Sequence, residues 1–288
     1  MKNWILLTAV ALISDVATHA QYYHRDILSV QQANDEFRLL KQLGIRSVKV
    51  HSFEADGTPS SGFRCEKTTS RDFRTMETVT ESPGTSASLL FSKYNELGQL
   101  VSSSDSSEIT AASNLYEYDA RGSIIRITSF THSSDDDFST ALKEEHLYRY
   151  NEDGNPIKML KIRNERDTVT VDFKLDQNGR VTDEMERSPQ GRHYYYYYND
   201  SGKLTDIVRF NPVKGGLSPD FVFDYNSKGQ LSQMVSVEEG MPGNFYNEKD
   251  NARYLTWQYF YDEDGLRIIE KCYSGRTSLL GYVEYEYD

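Results

Sequence analysis

From residue 46 to the end of the chain, apolar and polar residues alternate in short stretches separated by Asn/Asp/Gly clusters, the mark of strands with one covered face. One earlier segment has a different period. Val30, Ala33, Phe37, Leu40 and Leu43 recur at helical spacing, Ser29 with Gln32 three residues on offers an N-terminal cap, and Gly44 offers a left-handed stop. This predicts a helix over residues 30–43, its apolar stripe laid on the first hairpins or the concave side of a sheet. Strands are predicted over residues 46–53, 63–67, 73–80 and 88–94. The polar stretches 102–107 and 133–137 read as loops at hairpin tips.

The later stretches repeat. Align the chain on Gly98, Gly122, Gly154, Gly179, Gly202, Gly229 and Gly265. Three residues before each glycine stands Asn95, Asp119, Asn151, Asp176, Asn199, Asn226 or Asp262. Four before stands tyrosine, with Leu175 the exception; six before stands an aromatic residue, with Ser92 the exception. An aliphatic residue follows two or three after, as Leu100, Ile124, Ile157, Val181, Leu204, Leu231 or Ile268. Each position has a physical reason. Two aromatics one residue apart share a strand face. Asn or Asp bonds the backbone two residues on and opens a turn, and glycine takes the positive φ that a type I turn with a G1 bulge demands. The unit is a β-hairpin, so its tandem repetition is an antiparallel meander. An eighth unit begins at Tyr285 and is cut off at Asp288, and residues 53–57 read as a decayed earlier copy.

YEYDARGSI from Tyr116, YRYNEDGNPI from Tyr148, YYYNDSGKL from Tyr196 and FDYNSKGQL from Phe223 resemble the YD repeats of the RHS family, whose pattern is YxYDxxGxL. The resemblance covers residues 92–288. It implies a spiralling sheet strip and, in long bacterial members, a hollow shell around a C-terminal toxin. About eight units, an end inside a repeat and no DPxG-type cleavage signature depart from that pattern, so no toxin payload is expected. Choline-binding repeats share a YYFDxxGxM pattern but recur at a regular interval with a regular tryptophan. Here glycine spacing runs from 23 (Gly179 to Gly202) to 36 (Gly229 to Gly265), and only Trp4 and Trp257 are present.

The fold class expected is therefore all-β: an antiparallel meander of tandem hairpin repeats forming a curved sheet, an open or partly closed shell, with one short N-terminal α-helix. Residues 1–20 read as a signal peptide, with Lys2 before a short apolar run and a small-x-small end at Ala20. The run is too short to span a membrane. Residues 21–91 form a helix with leading strands, and residues 92–288 the repeat array. Export to the periplasm, cell surface or extracellular space follows, with no transmembrane segment after cleavage. For Cys65 and Cys272 two readings stand: a disulfide joining the ends of the array, or two separately packed thiols. A net charge of −12 without a basic cluster excludes a nucleic-acid partner.

The sequence offers no candidate catalytic, cofactor-binding or metal-ligating residues. His24, His51, His132, His146 and His193 are scattered singly, and no GxSxG, P-loop or CxxC is present. Gly215 and Gly216 read as a turn. The cluster 133–137 lacks the order of a calcium loop. Tyr194, Tyr196 and Tyr198 share a strand face, either as packing or as a stacking platform for sugar rings. The function expected is a non-enzymatic secreted or envelope repeat protein providing a structural, adhesive or binding surface to an unknown protein or glycan. A glycan-binding module using exposed tyrosines is the alternative, with a secreted glycoside hydrolase behind it.

Overall fold

The computed structural model describes residues 21–106, 110–135, 138–189, 191–211, 215–239 and 252–288; the signal-peptide reading and Asp136 and Asp137 of the acidic cluster lie outside them. Two compact units emerge among these residues. The first comprises residues 21–49, 62–193 and 287–288, the second residues 50–61 and 194–286.

In the first unit a π-helical segment, Tyr23–Leu28, runs without a break into α1 (Ser29–Leu43). The predicted cap at Ser29 is corrected: the helical chain is already wound there, and Ser29 Oγ donates to the His24 carbonyl at 3.0 Å. Gly44 ends α1 at φ 74°. The strands are β1 (Ser47–Glu54), shared with the second unit, then β2 (Arg64–Thr69), β3 (Thr75–Glu81), β4 (Ser88–Tyr94), β5 (Leu100–Ser106) and β6 (Thr110–Tyr118). After these come β7 (Ile124–Asp135), β8 (Phe138–Tyr150), β9 (Pro156–Arg163), β10 (Asp167–Leu175) and β11 (Val181–Glu186). From β2 to β11 each strand pairs antiparallel with the next. The loop predicted at 102–107 is strand through Ser106, because its serines pair with β4 and β6. The helix docks on the first repeat: Phe37 stacks on Tyr94 at 3.5 Å between ring centres, and buried Asn34 Oδ1 accepts the Leu100 N–H at 2.8 Å.

The second unit is also an antiparallel meander, of β12 (His193–Tyr198), β13 (Leu204–Asn211), β14 (Gly216–Tyr225), β15 (Leu231–Glu239), β16 (Ala252–Tyr261), β17 (Arg267–Ser274) and β18 (Ser278–Tyr287). Its covered face carries Tyr194, Tyr196, Ile207, Phe223, Trp257 and Tyr259. Gly216 opens β14, so of the predicted Gly215–Gly216 turn only Gly215, at φ 65°, is turn.

All the repeat hairpins close alike. Asn95 N donates to Gln99 O at 2.9 Å and Gly98 N returns to Asn95 O at 3.0 Å, and the same pair of bonds recurs at the other six glycines, whose φ lies between 77° and 91°. A bulge falls at the residue before each turn, for example between Glu117 and Tyr118 or Lys174 and Leu175. The tyrosine also reaches backwards. Tyr118 Oη donates to Leu100 O at 2.7 Å, Tyr150 to Ile124 O at 2.6 Å, Tyr225 to Leu204 O at 2.8 Å and Tyr261 to Leu231 O at 2.8 Å. Each acceptor is the residue that opens the return strand of the preceding repeat. The turn 53–57 shares the hairpin bonds, with Glu54 in the Asn/Asp place: Glu54 N to Thr58 O at 2.8 Å and Gly57 N to Glu54 O at 3.0 Å.

The eighth repeat is completed by the other end of the chain. Asp288 N donates to Ser47 O at 2.9 Å and Arg46 N to Asp288 O at 2.8 Å. Arg46 thus stands where the glycine stands in an intact hairpin, and Val48, 3% exposed, takes the aliphatic place. On its other side Arg46 O accepts the Thr69 N–H at 2.8 Å. β1 therefore has β18 on one side and β2 on the other. The open or partly closed shell expected from the sequence is corrected at this strand: β1 is paired on both sides and presents no free edge.

Glycine has a second task besides its φ. A Cβ on Gly179 would overlap the Asn155 side chain from the preceding turn, whereas one on Gly44 would meet nothing. Both positions have positive φ, so alanine strains each backbone by about 1 kcal/mol. Gly179→Ala is expected to lower the urea midpoint measurably more than Gly44→Ala; equal losses would remove the turn-on-turn contact from the account.

Candidate functional site

Alternation along β8 places Glu144, His146 and Tyr148 on one face, and Tyr148, 5% exposed, identifies it as the covered one. Opposite them on β9 stand Arg163, Lys161 and Met159. Over this row lies the π-helical segment. Such segments are rare and recur at functional positions, and this one carries Asp26 into the row.

His146 Nδ1 meets Asp26 Oδ2 at 2.5 Å, and Nε2 meets Glu144 Oε1 at 3.0 Å. Ionised carboxylates only accept hydrogen bonds, so a ring held between two of them carries both protons. Burial opposes the charge on His146, yet Asp26 and Glu144 together raise its pKa above the usual 6.5. Burial likewise opposes ionisation of Asp26, and the charges of His146 and Arg25, with hydrogen bonds from His146 and Tyr148, overcome it and hold the carboxyl well below its ordinary range. Tyr148 Oη donates to Asp26 Oδ2 at 2.8 Å and Arg25 Nε to Oδ1 at 3.1 Å. Glu144, opposed by burial but held by His146 and Arg163, falls to about 2.

A second fastener sits at the start of the helix. Tyr22 N and Tyr23 N donate to the two carboxylate oxygens of Glu184 at 2.9 and 2.8 Å. The first amides of a helix have no partner within it, and a carboxylate there also meets the positive end of the helix dipole. Glu184, 1% exposed, is a cap supplied by β11. Lys161 Nζ donates to Tyr22 Oη at 2.7 Å. In the second unit Glu270, 2% exposed, accepts from Arg267 Nη1 at 3.0 Å and Tyr285 Oη at 3.1 Å.

The histidines scattered singly along the sequence meet acids in the fold: His146 joins two carboxylates, His51 meets Glu286 at 2.9 Å and His193 meets Asp183 at 3.0 Å. The signal for His146 was its phase, two residues before a repeat aromatic. Asp26 gave no comparable signal. Tyr194 and Tyr196, at 0% and 2% exposure, face the covered side, and Tyr198 is half-buried at a bulge. Rings so covered present no face to a ligand arriving from solvent; in the same run Tyr197 is 47% exposed. Cys65 and Cys272 are buried thiols not joined in a disulfide, the second of the two readings, and burial pushes the Cys65 thiol up. Among the described residues no group of three His, Cys, Asp or Glu side chains is arranged to hold a metal ion, and no helix is long and apolar enough to cross a membrane.

Fold and site define an antiparallel protein of tyrosine-bearing hairpin repeats with a helical segment fastened to the sheet by buried charge. No family model matches the chain, and no curated protein matches it. Solved structures similar to it include the TcdB2–TccC3 complex, at 11% identity and a TM-score of 0.30 over 83% of this chain. The chain spans 19% of that protein's length. A porin-like protein from Bacteroides uniformis ATCC 8492 is similar at 8% identity and a TM-score of 0.37, over 85% of this chain and 98% of that one.

Removing one partner from a buried ion pair costs about 3–5 kcal/mol, against about 0–1 kcal/mol at an exposed pair. Asp26→Ala is expected to lower unfolding free energy by about 3 kcal/mol or more, and His51→Ala, at a half-exposed pair, by far less. Similar losses in urea titrations would deny the Asp26 cluster its structural role.

Proposed function

We propose that this chain is a short, exported, non-enzymatic YD-type repeat protein whose outer sheet face provides a structural or adhesive binding surface. The observation that carries this reading is where the chemistry is spent. In the first unit buried Asp26 is bonded to His146, both nitrogens of His146 are engaged by carboxylates, and buried Glu184 caps the helical segment. What is presented to solvent is strand surface. In the second unit Phe210 and Leu217, cross-strand partners 53% and 52% exposed, form an apolar pair on it. An exposed large apolar pair of this kind suits contact with another macromolecule.

Two measurements test the reading. Cell fractionation with N-terminal sequencing is expected to find the mature chain outside the cytoplasm beginning at Gln21; an intact Met1 terminus in the cytoplasm would refute export. Purified protein is expected to be retained on isolated cell-envelope material, and the double variant Phe210→Ser, Leu217→Ser to be lost from it while melting normally. Release of soluble sugar from that material would instead favour a hydrolase. The glycan-binding alternative draws on the exposed ring of Tyr197: Tyr197→Ala should then weaken retention on a polysaccharide column, and unchanged retention removes the alternative.

A further inference from the structure

We propose that the segment from Tyr22 to Leu28 is a pH-released strap, docked on β8 to β11 while the His146 ring carries both protons and freed when it loses one. The geometry gives His146 the central place. Its two N–H groups join a carboxylate of the strap, Asp26, to a carboxylate of the sheet, Glu144. Loss of either proton leaves one of two like charges facing a bare nitrogen lone pair in a site where the His146 side chain is 4% exposed, and an unpaired buried charge is costly.

The groups facing His146 come from every packed element. The strap contributes Asp26, Arg25 and the Tyr22 ring, set edge-on at 5.0 Å. β8 itself contributes Glu144 and Tyr148 and β9 contributes Lys161 and Arg163, while Glu184 and Glu186 of β11 lie against Tyr22 of the strap. Tyr116 stands nearby on β6, and the β7 partner is apolar Ile127. Few of these compete as the trigger. Burial pushes Tyr22 and Tyr148 upward, with Asp26 adding to the effect at Tyr148, and Tyr116 rises to about 12. His24, on the strap itself, is lowered by burial to about 4 and stays neutral throughout. Asp26 and Glu144 stay ionised far into acid.

The sign follows from His146 being raised. Its contribution is fully present below the ordinary value of 6.5 and is lost as pH rises through the higher folded value. The strap therefore holds in mildly acidic solution and opens as pH rises through that folded value. Opening bares the stacked Tyr148 and Phe173 rings, 6.2 Å apart beneath it.

Hydrogen–deuterium exchange on the full chain, corrected for intrinsic rates between pH 6 and 10, reads the strap amides directly. The expected result is loss of protection over residues 22–28 as pH rises across that range, with β13 to β17 still protected. Glu144→Gln keeps an acceptor but removes one charge, so its opening midpoint should fall by about one pH unit, the scale of a single charged neighbour. His146→Gln should leave the strap open even at pH 6. Protection that is independent of pH, an unchanged midpoint in Glu144→Gln, or strap and sheet opening together would each overturn the proposal. Because Glu144→Gln retains the ring, it remains informative if His146→Gln fails to fold.

Discussion

A tyrosine hydroxyl donating to a backbone carbonyl of the repeat before it is the contact on which the rest of the fold depends. A two-stranded hairpin alone is marginal in water, and each must borrow stability from its neighbours. The Oη bonds of Tyr118, Tyr150, Tyr225 and Tyr261 do this at the same place in each repeat, where a bulge has interrupted the regular ladder. The ring supplies covered apolar area and the hydroxyl satisfies a carbonyl, which explains why the position is tyrosine and not phenylalanine. Leu175 departs from the rule. No hydroxyl there can serve Pro156, the corresponding carbonyl of the repeat before.

The same economy governs the buried charge. Glu184 is covered because two helix amides need an acceptor, and Asp26 and Glu144 are covered because one imidazolium needs two. Such clusters add less net stability than a well-packed apolar core would, but a half-made cluster is severely unfavourable, so they fix one docking position against all others. Phe37 on Tyr94 and Asn34 on Leu100 repeat that logic further along the helix, where ring stacking and a single backbone bond register α1 on the first repeat.

Much of the fold was legible. β4 has its sequence-predicted bounds, and α1 ends at Gly44 as read. The all-β antiparallel meander with an N-terminal helix holds, since period-two alternation and Asn/Asp-x-x-Gly turns are local and survive in any tertiary context. What escaped was non-local. The return strand of the last repeat is β1, entered from Arg46 without the glycine by which the other returns are recognised. The π-helical segment escaped because Tyr22, Tyr23 and Asp26 follow no helical apolar stripe; their partners are polar groups on strands more than a hundred residues away.

The tyrosine bond is open to direct measurement through a Tyr→Phe series, which deletes the hydroxyl and keeps the ring. Equilibrium urea unfolding of Tyr118→Phe, Tyr150→Phe and Tyr225→Phe should each give a loss of about 1 kcal/mol, the usual worth of one such bond. Tyr197→Phe, whose ring is nearly half exposed, should give close to none. If the first three unfold like the wild-type chain, the carbonyls do not depend on those hydroxyls and the repeats are held together by something else.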